Sequence, residues 1–520
     1  MNKENRTIQA ILLMVILVIC FGMICLINFS GVPSFYDADM YCDYQYAMEV
    51  WEEKSIFPDG WVFGNQLNAV STPVLAALIY GLTGNMNFSM GAASTIMAAL
   101  LIYSYDWMLK AVLQDLESRL MAIVLLLTSV LYGGTAASGR DGWTLLFTMC
   151  SYYAGYSITA FLAFGCYLRG LSGSFRQCGA ILVLTCILSF GTGIQSIRQT
   201  AIMVAPILAV EFLRMLVFHK KWKEHRAPLW IALCIAISNS GGLCYIRLLP
   251  IRQNQIFGAI TLTPLTDLIQ AVKDCLLYIL ILIGSENPEN SIVLWGSCIL
   301  CAVGLLLILR NLKREMSTGV VAAVLLMGLS FLIIMVIDIF TTIVTWPRYY
   351  FMIYPLMGSL LAYGYARMGD RFRLGLMAIL LAFFGVSAFH EFPEVCLSAA
   401  HRNEEVSYEI SDYLLGNGYT TIYALWEQAD DVAIASNGEI RVGYWHEPET
   451  TFQKMPYLCN VDIYNASSDQ CVYFFQGRQY ADIGIAKAES VGVSLQMIRQ
   501  YPESDIYLYT APINLMQHFR

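Results

Sequence analysis

The chain has 520 residues, of which 57% are apolar and only 13% charged, against roughly 25% charged in soluble domains. A soluble core cannot absorb that much apolar surface, and the apolar blocks run near 20 residues, the length that crosses about 30 Å of hydrocarbon. The net charge of -8, with no basic stripe carrying interleaved aromatics, argues against a nucleic-acid partner.

In chain order, Lys3 and Arg6 precede an apolar run over 8–29. It is too long for a signal-peptide core and lacks a small-x-small cleavage site, so it is read as a retained first span. Further spans are predicted over 88–109, 120–137, 143–168, 178–194, 200–218, 228–246, 291–309, 318–340, 348–366 and 374–390. These blocks are rich in Leu, Ile and Met and do not alternate, so helices are expected, not barrel strands. Two apolar stretches are set apart. Residues 72–83 are too few to span, and 268–284 carry Lys273 and Asp274. Both are expected as helices at the outer interface, the second lying there or re-entrant.

Tallied by side, the Lys and Arg residues outside the predicted span interiors of the first 390 positions, Arg214 thus left out, divide 16 to 7. The larger set fills short loops, including Lys220, Lys221, Lys223, Arg226, Arg310, Lys313 and Arg314, and is therefore cytoplasmic. The N-terminus is then cytoplasmic, and eleven spans put the C-terminus outside. The expected organisation is a multi-pass cell-membrane unit over 1–390, with outer loops 30–87 and 247–290. An extracytoplasmic α/β domain follows over 391–520, with strands at 421–426, 440–445, 471–475 and 506–510 and helices at 403–415 and 429–436. Cys459 and Cys471 form a disulfide in an oxidising compartment or remain two free thiols. No Cys/His group has metal-ligand spacing.

Four polar clusters face the outer side in this topology. Asp37, Asp39 and Asp43 follow the first span, in Phe35-Tyr36-Asp37-Ala38-Asp39-Met40-Tyr41-Cys42-Asp43. Carboxylates there suit deprotonation of an acceptor hydroxyl or capture of a divalent cation; a solvated acidic loop reads the same residues more simply. Arg140 and Asp141 occupy a short loop at the membrane edge, as a helix-capping pair or a site. Arg198 lies in Gln195-Ser196-Ile197-Arg198-Gln199. Arg348 and Tyr349 lie in Thr345-Trp346-Pro347-Arg348-Tyr349-Tyr350. Arginines at that depth bind phosphate bidentately; snorkelling within an aromatic belt is the competing explanation. There is no P-loop, no GxGxxG after a strand, no serine elbow and no HExxH.

Together these clusters resemble the GT-C superfamily of membrane glycosyltransferases, nearest to bacterial relatives of protein O-mannosyltransferases and aminoarabinose transferases. Asp39 and Ala47 match the acidic motif after the first span, with Met40 where the family has Glu. Ser71-Thr72-Pro73 is similar to the start of the family's juxtamembrane helix. Residues 193–206 resemble its phosphate-binding segment, with Arg198 in place of Lys, and Arg348-Tyr349 with Pro355 its Arg-Tyr…Pro segment. The resemblance covers about residues 8–390. It implies transfer of a sugar from a polyprenyl-phosphate donor to a lipid, polysaccharide or protein acceptor at the outer membrane face, with inversion. It makes Asp39, or Asp37, the general base, with Asp141 orienting the acceptor or assisting a metal. Arg198, Arg348 and Arg140 become donor-phosphate ligands, and Asp43 and Tyr349 contacts to sugar or acceptor. Metal use varies in the superfamily; if a divalent metal (Mg or Mn) is used, Asp37 and Asp39 are its expected ligands. The competing readings are a polysaccharide polymerase or ligase, which needs no acidic pair after the first span, and a transporter or flippase for lipid-linked saccharides. The latter would carry inverted repeats and midplane charges. A surface receptor would leave the membrane-edge clusters unexplained.

Overall fold

The computed structural model describes residues 3–35, 38–128, 147, 153–173, 178–218, 222–254, 260–282, 306, 319–343 and 346–519. The helices in order are α1 (Lys3–Ser30), α2 (Ala38–Glu53), α3 (Thr72–Thr83), α4 (Met86–Leu109), α5 (Leu116–Thr128), α6 (Ala154–Leu171), α7 (Gly179–Gln195), α8 (Ala205–Phe218), α9 (Trp222–Tyr245), α10 (Leu268–Leu282), α11 (Val320–Phe340), α12 (Ile353–Arg367) and α13 (Asp370–Ala400). Among the described residues four helices are long and apolar enough to cross a membrane: Arg6–Ser30, Met86–Leu109, Arg226–Leu248 and Val320–Phe340.

The α1 helix shows why the bundle belongs in lipid. One face buries Leu13, Ile16, Cys20, Met23 and Ile27 against its neighbours, at helical spacing. The opposite face is also apolar and open, with Ile8 54% and Val18 61% exposed. A helix apolar all round needs a hydrocarbon solvent on its free side. The same belt continues through Val183, Ile187, Ile237, Leu332 and Val336. Between helices, small residues and polar side chains do the joining, as expected where lipid gives no hydrophobic gain. A Cβ on Gly242 would lie 2.1 Å from the Phe190 carbonyl oxygen, so α9 and α7 approach backbone to backbone. Asn239 Nδ2 donates to the Ser189 oxygen at 3.2 Å, and Thr200 Oγ1 donates to Asn239 Oδ1 at 2.7 Å. The Tyr105 hydroxyl joins α4 to α12 through the Pro355 oxygen (2.8 Å) and Ser359 Oγ (2.7 Å).

Beyond α13 the chain forms α14 (Val406–Gly416), β3 (Thr421–Leu425), α15 (Asp430–Ala435), β4 (Arg441–Trp445), β5 (Cys459–Asn460), β6 (Cys471–Gln476), α16 (Arg478–Glu489), β7 (Gln496–Tyr501) and β8 (Ile506–Thr510). Five of these strands make one sheet in the order β4-β3-β6-β8-β7, parallel from β4 to β6 and antiparallel beyond. A second sheet joins three distant segments: β1 (Trp61–Phe63) lies between β2 (Arg252–Gln253) and β5. The five-stranded sheet is seated on helix ends. Arg402 Nη1 donates to the Ser30 oxygen at 2.6 Å, Tyr408 to the Gly31 oxygen at 2.8 Å, and Asn87 Nδ2 to the Ile434 oxygen at 3.1 Å.

Several expectations need adjustment. The α13 helix runs through Ala400, so it crosses the boundary expected at 390. The strand β7 and the helix α16 were not expected; β7 is a largely exposed edge strand without an apolar alternation. Cys459 and Cys471 are both free and buried. The span expected over 291–309, the later part of that over 120–137, and the first residues of that over 143–168 lie outside the described residues, Leu306 and Phe147 apart.

Burial pushes the Asp431 carboxyl up to about 6, against a hydrogen bond from the Val432 N–H and with the Glu405 charge adding to the rise. The folded carboxyl therefore keeps its proton to higher pH than the unfolded one. Its contribution favours the fold at low pH and is lost as pH rises from about 4 through about 6. Asp431→Asn is expected to raise the melting temperature of the purified protein at about pH 8 and to leave it unchanged near pH 4.

Candidate active site at the sheet-bearing end of the bundle

The α2 helix connects the bundle to the sheet. Tyr41, Gln45, Glu49 and Glu52 repeat at i, i+4, i+8 and i+11 and so share one face. That face meets β4. The Val442 N–H donates to the Tyr41 hydroxyl at 2.8 Å, Gln45 Nε2 donates to the Val442 oxygen at 3.1 Å, and Arg441 reaches Glu49 at 2.8 Å and Glu52 at 3.1 Å. Asn460 Nδ2 adds a bond to Glu49 at 2.9 Å. Burial pushes the Glu49 carboxyl up, and the Asn460 bond and Arg441 oppose it. Asp39, Asp43 and Tyr46 occupy the other face. Tyr46 packs on Trp61 and Phe63 (ring centroids 5.3 and 5.7 Å). Asp43 is buried and accepts from Asn68 Nδ2 at 3.3 Å.

Asp39 stands in the first turn of α2, where the helix dipole favours an anion. Its Oδ2 is 3.3 Å from Arg348 Nη2, and the two side chains are 28% and 20% exposed. Arg348 rides on a 3-10 turn, Pro347–Tyr350, with Pro at the first helical position. The turn is anchored from below: the Tyr350 hydroxyl donates to Asp338 near the end of α11 and to Cys275 Sγ of α10 at 3.3 Å.

Arg198 lies in the connection from α7 to a π-helical turn, Thr200–Val204. Such turns leave backbone groups out of register, and Ser330 Oγ of α11 takes up the Ile202 oxygen at 2.6 Å. The Arg198 guanidinium is ringed by tyrosines, at 4.4 Å from the Tyr349 ring centroid, 5.1 Å from Tyr153 and 5.9 Å from Tyr156. Among the described residues no carboxylate pairs with it. Arg348 is close enough for the two positive charges to repel. Arg198 and Arg348 thus bring two positive charges near one another, with Asp39 of α2 paired to Arg348, and guanidinium groups in such a pair suit an anion. The loop before α3 closes the floor: the Val70 N–H donates to Gln195 Oε1 at 2.9 Å, the Leu67 N–H to the Gln195 oxygen at 2.9 Å, and the Tyr156 hydroxyl to Gln66 Oε1 at 3.2 Å.

The structure thus brings Asp39, Arg348, Tyr349 and Arg198 together, with Asp43 one turn along the same face of α2. Asp37, Arg140 and Asp141 lie outside the described residues. Tyr153, Tyr156, Asn68 and Tyr457 were missed by sequence reasoning; in sequence the tyrosines look like an ordinary interfacial belt. Among the described residues no three His, Cys, Asp or Glu side chains converge as a metal site. Of the two expected metal ligands, Asp39 is paired with Arg348 and Asp37 lies outside the described residues.

Two solved structures share the fold of this chain. ArnT from Cupriavidus metallidurans in the apo state aligns at a TM-score of 0.51 and 9% identity, over 93% of this chain and 94% of that one. The same protein bound to undecaprenyl phosphate aligns at 0.51 and 11%, over 95% and 97%. The Archaeoglobus fulgidus oligosaccharyltransferase, in complex with Zn and sulfate, gives 0.45 and 12%, over 82% and 62%. No family model matches the sequence, and no curated protein matches it.

Arg441→Ala leaves Glu49 buried beside only Asn460. A fully buried broken pair costs about 3–5 kcal/mol; with Arg441 37% exposed the expected loss is about 1–2 kcal/mol. Melting temperature falls and hydrogen exchange rises across residues 38–53, whereas Glu52→Gln changes both little.

Proposed function

We propose that this chain is a membrane glycosyltransferase that moves a sugar from a polyprenyl-phosphate donor to an acceptor on the outer face of the membrane. The observation that carries the reading is the paired guanidinium site, Arg198 and Arg348, beside the carboxylate of Asp39. A lipid phosphate needs such charge at the membrane edge, and an acceptor hydroxyl needs a base next to it. The GT-C fold adds an analogy, since one ArnT structure of the same fold holds undecaprenyl phosphate. The outward orientation rests on the Lys and Arg tally.

In this reading the phosphate binds between Arg198 and Arg348, and Tyr349 lies against the sugar or its acceptor. Arg348 then exchanges its bond to Asp39 for one to phosphate, which frees the carboxylate. Asp39 takes the proton of the acceptor hydroxyl as its oxygen attacks the anomeric carbon. The bond from that carbon to the phosphate oxygen breaks, and its electron pair leaves on polyprenyl phosphate. Arg198 and Arg348 neutralise the charge that develops there. One displacement inverts the anomeric centre. Asp37, Arg140 and Asp141 enter through the family resemblance alone, as an alternative base, a further phosphate ligand and a group that orients the acceptor or assists a metal.

Asp39→Asn is expected to lower transfer from a polyprenyl-phosphate sugar by about 100-fold or more. It should leave binding of undecaprenyl phosphate intact or tighter, because Arg348 loses its competing partner. Arg348→Ala and Arg198→Ala should each weaken undecaprenyl phosphate binding by about tenfold or more, the worth of a bond to a charged group. Full transfer activity in both Asp39→Asn and Arg348→Ala would sink the site assignment.

A further inference from the structure

Tyr457 comes from the C-terminal region to the helix that carries Asp39: its ring lies over Gly64, next to Phe63, which packs on Tyr46 of α2. Its loop is tied down on several sides. Asn254 Nδ2 donates to the Pro456 oxygen at 3.0 Å, Cys459 and Asn460 pair with Val62 and Trp61, and the Val461 N–H donates to the Gly60 oxygen at 3.0 Å. The ring lies over Gly64 so closely that a Cβ there would come within 2.8 Å of it. Burial and then the Asp39 charge push the phenol up, while Arg348 pulls it down, so both site charges act on this side chain. Among the described residues its hydroxyl makes no hydrogen bond.

Trp426 follows directly on β3, at the carboxyl end of a parallel strand, where open α/β sheets place their ligands. Its ring is 5.4 Å from Tyr457 at 63°, and 4.7 Å from Tyr444 at 60°. Tyr444 is held by its bond to Asp430, which fixes the back of the corner. Trp426 and Tyr457 both stay partly exposed.

Arg198 meets the Tyr349 ring, Arg348 pairs with Asp39, and Tyr457, on which the Asp39 and Arg348 charges both act, packs against Trp426. An in-line displacement requires the acceptor to arrive opposite the leaving phosphate. With the phosphate on the arginines, the acceptor side is the aromatic corner. An extended peptide would seek a free strand edge, but α2 already occupies the β4 edge through Tyr41 and Gln45. Two inclined aromatic faces beside a carboxylate suit the C–H face and hydroxyls of a sugar ring. We propose that Trp426 and Tyr457 form the acceptor subsite and that they bind the pyranose ring of a saccharide acceptor beside Asp39. This rests on the transferase reading for its orientation, yet the binding it asserts is measured without transfer.

The test uses the full purified chain and two probes: undecaprenyl phosphate, and oligosaccharides released by mild acid from the envelope of the source cell. Tyr457→Ala and Trp426→Ala are expected to weaken oligosaccharide binding tenfold or more. Gly64→Ala, which displaces the Tyr457 ring without altering it, should act in the same direction, and Tyr457→Phe should keep the stacking and lose less. Melting temperature and undecaprenyl phosphate affinity, expected to stay within twofold of the parent chain, exclude a folding failure. Oligosaccharide binding that is absent in the parent chain, or equal in parent and variants, overturns the subsite, as does selective binding of a tryptic peptide pool at the same residues. Loss of undecaprenyl phosphate binding in the parent chain, with oligosaccharide binding kept, would instead overturn the transferase reading.

Discussion

The ion pair between Arg348 and Asp39 joins a turn after α11 to the helix after α1, and the surrounding packing serves to keep it in place. The pair itself contributes little stability, since both side chains are partly exposed. Its importance is positional. Arg348 stands next to Arg198, and two guanidinium groups repel unless something holds them. Tyr350 locks the turn beneath Arg348 to Asp338 and Cys275. Arg198 is held by the faces of three tyrosines, which attract a cation without neutralising it. The positive charge of Arg198 therefore stays available to a bound anion.

The acid side of the site is held differently. The α2 helix is clamped between the bundle and the sheet, and each of its faces has its own partners. Arg441, Val442 and Asn460 grip one face, while Asn68, Trp61 and Phe63 meet the other. The three-stranded β2-β1-β5 sheet pulls the two loops and the C-terminal region to the same place. The C-terminal region thus grips the helix that carries Asp39, and it also supplies Tyr457, on which the Asp39 charge acts.

Much of the bundle was legible because hydrocarbon imposes one rule, a long apolar helix. The expected span at 318–340 and the observed Val320–Phe340 differ by two residues at one end, and the short helix Thr72–Thr83 was placed to the residue. The strand 506–510 was also read correctly, since Ile, Tyr, Leu and Tyr alternate little and are buried on both faces. The edge strand Gln496–Tyr501 was invisible because its polar and apolar residues do not alternate and it is largely exposed. Asp39, Arg198 and Arg348 stood out in the sequence because charge at a membrane edge is costly, and the fold brings them near one another. What could not be read was which residues meet across the fold. The Tyr41 bond to Val442 joins residues 401 apart, and no local pattern encodes it. Tyr457 belongs to that class: nothing in its own neighbourhood marks it as part of an acidic site.

Cryo-electron microscopy of the full chain with undecaprenyl phosphate tests the central claim most directly. The expected result is a phosphate within about 3 Å of both Arg198 and Arg348, with Arg348 turned away from Asp39 and the carboxylate open toward Tyr457. A phosphate bound elsewhere, with Arg348 still on Asp39, would contradict it.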